Sequence, residues 1–386
     1  MGLSNQLLNL AAPFLTATLM IVAVQPQDVS AQVGNSSSFR APRGEFPKTD
    51  FDNVSVDFSE ILSGGPPRDG IPAIDNPMFI SNTEAAEWLA LNEPVVSLRV
   101  GNTAKAYPLQ ILIYHEIVND KIDGRPVAVT FCPLCNASLV FDATVDDEVL
   151  DFGTTGRLRK SDLVMYDRQT ESWWQQFTGT GIVGDYNGTQ LEIIPSQIVS
   201  FDVFQTEFPD GKVLSKNTGI SRPYGNNPYR GYDNIDSTPF LFSDPLDPRL
   251  PPMERVLAVA SDDNKTMWQL VPLSVLNSNP VIQLDDVVVI ATSKATSALD
   301  ETDIKSSRLV PAAAAFTSSV DGEPVSLSLN DEGVLIDKES GSQWSPLGAA
   351  LDGPRKGQRL VQVDHGVHFA FAWLAFDPEA RIVKEP

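Results

Sequence analysis

Val127-Ala-Val-Thr-Phe-Cys-Pro-Leu-Cys-Asn-Ala-Ser-Leu-Val-Phe141 decides how the rest of the chain is read. Two short runs of β-branched and aromatic residues, Val127 to Phe131 and Ser138 to Phe141, flank a Cys-Pro-Leu-Cys turn. Pro133 presets φ at the first turn position, and Asn136 tolerates the left-handed backbone that often follows such a turn. Similar runs recur at Val95 to Val100 and Leu191 to Ile194, separated by turn signals such as Asp123-Gly124 and Asn187-Gly188. Thr83 to Leu89 reads as a short capped helix with acidic residues in its first turn. The pattern is that of a mainly β chain, a β-rich α+β protein with short helices.

Working outward, prolines at 223, 228, 239, 245, 248, 251 and 252 forbid regular ladders between Arg222 and Pro252. The body on either side reads as two copies. A shift of 160 lays Val127-Ala-Val-Thr130 over Val287-Val-Val-Ile290. A shift of 170 lays Asp167, Ser172 and Trp174 over Asp337, Ser342 and Trp344. The expected organisation is two tandem degenerate repeats, barrel- or sandwich-like, over residues 61–220 and 253–386, joined by a Pro/Tyr-rich connector at 221–252. Chance similarity between two β-rich stretches is the alternative. Under duplication, features present in both copies serve the fold, and features present in one are candidates for chemistry. At the shift of 160, Cys132, Cys135 and His115 fall on Thr292, Ala295 and Val275, so candidate ligands are confined to the first copy.

The chain has 386 residues, with 28 Lys plus Arg against 50 Asp plus Glu and a net charge of −22. Such a chain repels phosphate backbones, which excludes nucleic acid as a partner. With 42% hydrophobic and 20% charged residues it has the composition of a globular protein, not a disordered one. The uncharged apolar run Leu7 to Val24, followed by small residues at Val29-Ser-Ala31, reads as a signal peptide over residues 1–31, with an extended leader at 32–60. The expectation is an exported soluble protein, periplasmic or extracellular, with no stable membrane insertion after cleavage. An N-terminal membrane anchor is the competing reading; lipoprotein anchoring is not expected, because no Cys stands directly after the run.

Cys132 and Cys135 are the two cysteines of the chain, and a pair at this spacing supplies half of a metal-binding set. Further ligands are sought among His115, His365 and His368. His115 is the best placed, in Tyr114-His-Glu-Ile-Val-Asn119, where a spacing of four keeps His115 and Asn119 on one face of helix or strand. A Cys2His set leaves a position open for catalysis or for a soft fourth ligand such as Met165, which suits copper or zinc. A lone His is otherwise a half-buried core residue, and Met165 otherwise packs in the core. The rival reading of the pair is a redox-active disulfide, and the third is a structural one. Glu116, Asn119, Asp162 and Arg168 are candidates to orient ligands or touch substrate. Asp167, Ser172 and Trp174 recur in the second copy and read as a hairpin. Tyr224, Tyr229 and Tyr232 among the prolines are candidates to line a cleft. Gly179-Thr-Gly-Ile-Val-Gly184 has the letters of a dinucleotide fingerprint but leads into a turn and a strand instead of a helix, so no nucleotide cofactor is expected.

Gly64-Gly-Pro-Pro-Arg-Asp-Gly-Ile-Pro-Ala-Ile74, Ala106-Tyr-Pro-Leu109, His115-Glu-Ile-Val-Asn-Asp120, Cys132-Pro-Leu-Cys135, Ser161-Asp-Leu-Val-Met-Tyr-Asp-Arg168 and Phe369-Ala-Phe-Ala-Trp373 occur in this order. Together they resemble the bacterial and archaeal family catalogued as domain of unknown function 3179, from about Ile61 to Phe376. The resemblance implies no activity. It supports His115, Cys132 and Cys135 as a set, because all three lie in its motifs. The expected function is a metal-dependent enzyme or metal-handling protein, with unknown small molecule or metal as partner. The alternatives are a thiol-disulfide oxidoreductase and a ligand-binding module with structural cysteines.

Overall fold

The computed structural model describes residues 41–260, 267–363 and 365–384, so the apolar run Leu7–Val24 and the cleavage position after Ala31 lie outside the described residues. Asp123 and Gly124, both at positive φ (50° and 86°), close the tight hairpin that their sequence announces. It lies in a succession that begins with β1 (Pro94–Val100), β2 (Thr103–Pro108) and the one-turn helix α1 (Leu109–Leu112). The three-stranded meander β3 (Ile117–Ile122), β4 (Arg125–Cys132) and β5 (Ala137–Asp142) comes next. Then come β6 (Phe152–Arg159), β7 (Asp162–Asp167), β8 (Trp173–Gln175) and β9 (Thr180–Val183), paired in sequence order. The chain returns through β10 (Ser196–Ser200) to pair with β1, turns through α2 (Phe201–Glu207), and lays β11 (Lys212–Leu214) parallel to β2.

Residues 215–254 carry no strand or helix, and beyond them the same succession is built again. β12 (Arg255–Ala260), β13 (Trp268–Pro272) and α3 (Leu273–Ser278) precede the meander β14 (Val281–Leu284), β15 (Val287–Thr296) and β16 (Leu309–Thr317). The short strands β17 (Leu327–Leu329), β18 (Leu335–Asp337), β19 (Gln343–Trp344) and β20 (Ala350–Asp352) follow. β21 (His365–Phe369) then pairs with β12, α4 (Ala370–Phe376) turns the chain, and β22 (Arg381–Ile382) runs parallel to β13. Order and pairing of these elements coincide in the two successions.

Two expectations are corrected here. Among the described residues no sheet closes into a barrel: strands this short, with register shifts at Thr154/Arg157 and Trp173/Trp174, form small open sheets that pack together. The meanders also superpose with an offset of 162, since Ile122 pairs with Arg125 as Leu284 pairs with Val287. A slip of two preserves which face each side chain points to, but it moves the counterpart of Cys132 from Thr292 to Lys294. The β4–β5 turn, residues 133–136, has no counterpart of similar length, because residues 297–308 make a long excursion between β15 and β16.

At the N-terminal side, the helix begins at Asn82 and not Thr83. Ser81 caps it, and Glu84 reaches back to the Ser81 backbone in a capping box. The described part of the leader is irregular yet packed, with Phe46 and Phe51 buried against Tyr166 and Trp173. The main core crosses between the copies. Phe369, Phe371 and Ala372 of the second pack with Phe131, Cys135 and Phe141 of the first, and Tyr224, Tyr229 and Tyr232 of the connector lie against them.

Candidate functional site

β4 ends at Cys132, and Asn136 at φ 50° turns the chain back so that Ala137 of β5 pairs with Cys132. The turn is fastened to the second copy: the Phe369 N–H donates to the Cys135 carbonyl (2.9 Å), and Asn136 Nδ2 donates to the Val367 carbonyl (3.0 Å). A second tight turn, Lys160-Ser161 with φ of 53° and 67°, joins β6 to β7 and makes Asp162 the first residue of β7. The two turns bring three donor atoms together. The sulfurs of Cys132 and Cys135 and a carboxylate oxygen of Asp162 all lie within 4.8 Å of one another, and all three residues are buried.

The Asp162 carboxylate is held from one side. Its Oδ2 accepts from Gln175 Nε2 (2.7 Å) and from the Phe177 N–H (2.9 Å). Its Oδ1 is buried and accepts from no N–H or O–H donor among the described residues, and the thiols of Cys132 and Cys135 lie close to the carboxylate. Burial pushes this carboxyl up to about 7 against the pull of those hydrogen bonds. Glu116, buried and beside both Asp162 and Cys132, is pushed up to about 8 by burial first and by the Asp162 charge second. Burial likewise raises both thiols. Neither Glu116 nor Asp162 forms an ion pair with a Lys, Arg or His among the described residues. Tyr229 and Tyr232 complete the surroundings, their hydroxyls made less acidic by burial and then, among other charges, by those of Glu116 and the cysteines.

His115 stands apart from this group. Its Nδ1 meets the Pro72 carbonyl (2.7 Å) and its Nε2 the Tyr224 hydroxyl (2.6 Å). A carbonyl only accepts, so Nδ1 carries the proton and Nε2 accepts from Tyr224. Burial holds the ring in its neutral form by lowering its pKa. The shared face of His115 and Asn119 fails because α1 ends at Leu112, and the chain turns through Glu116 at φ 58° before β3 begins. That left-handed residue is the one whose charge is felt at Cys132 and Asp162. Asn119 brackets the backbone of Phe152, accepting from its N–H and donating to its carbonyl (2.9 Å each). Met165 is packed in the core, paired in register with Thr154 and Trp174. Arg168 pairs with Asp75 (2.6 Å). His368 packs between Phe177 and Trp373.

Of the residues singled out in the sequence, the structure therefore gathers Cys132, Cys135 and Asp162, with Glu116 beside them. No spacing relation to the cysteines marks Asp162 as a donor equal to them. The cue was its place directly after a two-residue turn. Both cysteines are free thiols. No described helix is long and apolar enough to cross a membrane. The model of a family described as a protein of unknown function (DUF3179) matches residues 68–380. No curated protein and no solved structure matches the chain.

Proposed function

The chain belongs to the DUF3179 family, a description that carries no chemistry, and from its own residues we propose that Cys132, Cys135 and Asp162 bind a zinc ion. The observation that carries this reading is a buried Asp162 carboxylate beside two thiols, its Oδ1 without an N–H or O–H donor and no cationic side chain paired with it among the described residues. Thiol S–H groups are weak donors, so a buried carboxylate oxygen left to them alone is poorly satisfied. One cation among the three atoms satisfies all of them. Donors around a tetrahedral ion with bonds of roughly 2.0–2.3 Å lie about 3.3–3.8 Å apart, a spacing that the group at 4.8 Å or less accommodates. Two thiolates with a hard carboxylate oxygen favour zinc over copper(I), and Met165 in the core removes the thioether argument for copper.

Three protein donors leave a position for Glu116, for water or for a substrate, and the bound ion would supply a Lewis acid there. This is the arrangement of a metal-dependent enzyme or of a protein that carries the metal. A thiol-disulfide role fits less well, since reactive cysteines need stabilised thiolates and burial raises both thiols here. The apolar run at Leu7–Val24 supports an exported protein, for which the N-terminal residue of the secreted chain is the test.

The deciding experiment is elemental analysis, with a thiol count, of the full chain purified under reducing conditions without chelators. The expected result is about one zinc per chain, with both thiols shielded from a thiol reagent until zinc is removed. Cys132→Ser and Asp162→Asn should lose the metal, whereas Glu116→Gln should keep it about 10–100-fold more weakly. Wild-type protein without stoichiometric metal, its thiols freely reactive or oxidised, would overturn the reading.

A further inference from the structure

A cleft of about 360 Å³ opens where the two copies meet, far in composition from the Cys and Asp group. Ser97 and Arg99 stand on one face of β1, two residues apart, and Gln197 of β10 pairs directly with Ser97, so these three polar groups form a patch on one wall. Ser97 and Gln197 are each 6% exposed, and neither side chain has a hydrogen-bond partner among the described residues. The second copy contributes Arg359, whose guanidinium is already committed to Glu207 (2.6 Å) and to the Leu347 carbonyl (2.9 Å). Arg99 has no ion pair among the described residues. Burial and then the neighbouring Arg359 charge push its pKa down, with Glu207 offsetting part of the effect. No Asp or Glu lines the cleft. In a chain of net charge −22 this is a site of local positive excess. Apart from Gln362, the rest of the wall is apolar, with Phe316 and Leu347 among its side chains.

We propose that this cleft binds a small organic carboxylate, its anionic head on Arg99 with the Ser97 hydroxyl and Gln197 amide, its apolar body against Phe316 and Leu347. A planar guanidinium holds a carboxylate through two parallel hydrogen bonds. One uncommitted guanidinium with neutral donors matches a monoanion, and an apolar wall is of no use to inorganic phosphate. The proposal stands independently of the zinc site.

Calorimetric titration of the full chain with benzoate tests it, against benzamide as the neutral isostere and inorganic phosphate as the anion without an apolar body. Benzoate should bind about tenfold or more tightly than either comparator, an increment expected of one charge-assisted pair. Arg99→Gln should erase the preference for benzoate over benzamide. Arg99→Lys should retain part of it, because the charge stays and the fork is lost. Ser97→Ala should weaken benzoate about two- to tenfold. Arg99 is exposed and makes no ion pair among the described residues, so its variants should keep the wild-type melting temperature. Equal binding of benzoate and benzamide, equal binding of phosphate and benzoate, absence of benzoate binding, or an unchanged benzoate affinity in Arg99→Gln would each overturn the proposal.

Discussion

The hairpin around Asp167 and the one around Asp337 are one device built twice, whereas the turns after β4 and β15 share nothing. In both hairpins the Asp N–H donates to a Ser carbonyl five residues on, at 3.1 Å for Asp167 with Ser172 and 2.9 Å for Asp337 with Ser342. In both, that Ser hydroxyl accepts a backbone N–H from a later turn, Tyr186 at 3.1 Å and Arg355 at 3.0 Å. In both, a glycine at positive φ, Gly184 or Gly353, packs so closely on the Ser that a Cβ would come within 2.8 Å of it. The turns after the long strands differ instead. The first is the Cys-Pro-Leu-Cys turn that carries the candidate site; the second, residues 297–308, grips the connector. Asn227 and Gly231 donate to the carbonyls of Thr302 and Asp300 (2.7 Å each), and Arg308 pairs with Asp233 (2.7 Å). The connector held this way brings Tyr229 and Tyr232 beside Glu116 and the cysteines. What is repeated builds the fold; where the copies diverge, one side carries the donors and the other positions the segment that covers them.

The largest effect expected on this contrast comes from Asp233→Ala. Asp233 is fully buried and joins Arg255 (2.9 Å) to Arg308, so its removal leaves Arg255, 7% exposed, without its counter-charge. A loss of about 3–5 kcal/mol in urea unfolding is expected, with faster proteolysis within residues 215–254. A loss under about 1 kcal/mol would mean that the excursion does not anchor the connector. Next come the matched hairpins. Asp167→Ala strips the acceptor from Thr170 and Trp174, and Asp337→Ala strips it from Ser340 and Arg355. Each should destabilise by about 2–3 kcal/mol. A difference beyond about 1.5 kcal/mol between the two would break the equivalence.

Much of this is legible in the residues alone. Alternating short runs gave the β class, and Asp167, Ser172 and Trp174 were recognisable as a repeated hairpin because a local hydrogen-bond pattern leaves a local signature. Asn136 was read as left-handed because its residue type tolerates that region, and its φ is 50°. The offset of 160 was wrong by two because pairing register is set by the hairpin turn, not by the best match of valines, which are interchangeable along a buried strand. His115 and Asn119 fail to share a face for a related reason. Periodicity holds within one element, and here a helical turn gives way to a strand through Glu116. Asp162 and the tyrosines could not be joined to the cysteines from spacing alone, since two separate turns and a structureless connector bring them there.

The smallest expected effect concerns acid. Burial alone would raise the Asp337 carboxyl, but hydrogen bonds from Glu339, Ser340 and Ser326 outweigh it and hold the pKa below the usual carboxylate value. The folded state therefore binds fewer protons than the unfolded one on the acid side. The resulting stability is present above about pH 4 and is lost as pH falls through the folded pKa, at about 1.4 kcal/mol for each unit of depression. Asp337→Asn has no proton to take up there. Its melting temperature should start lower at pH 6, because Arg355 at 3.0 Å loses its counter-charge, and should then fall less than the wild type on going to pH 3. If wild type and variant lose equal stability over that range, Asp337 contributes nothing to the acid limb, and its likeness to Asp167 is one of shape alone.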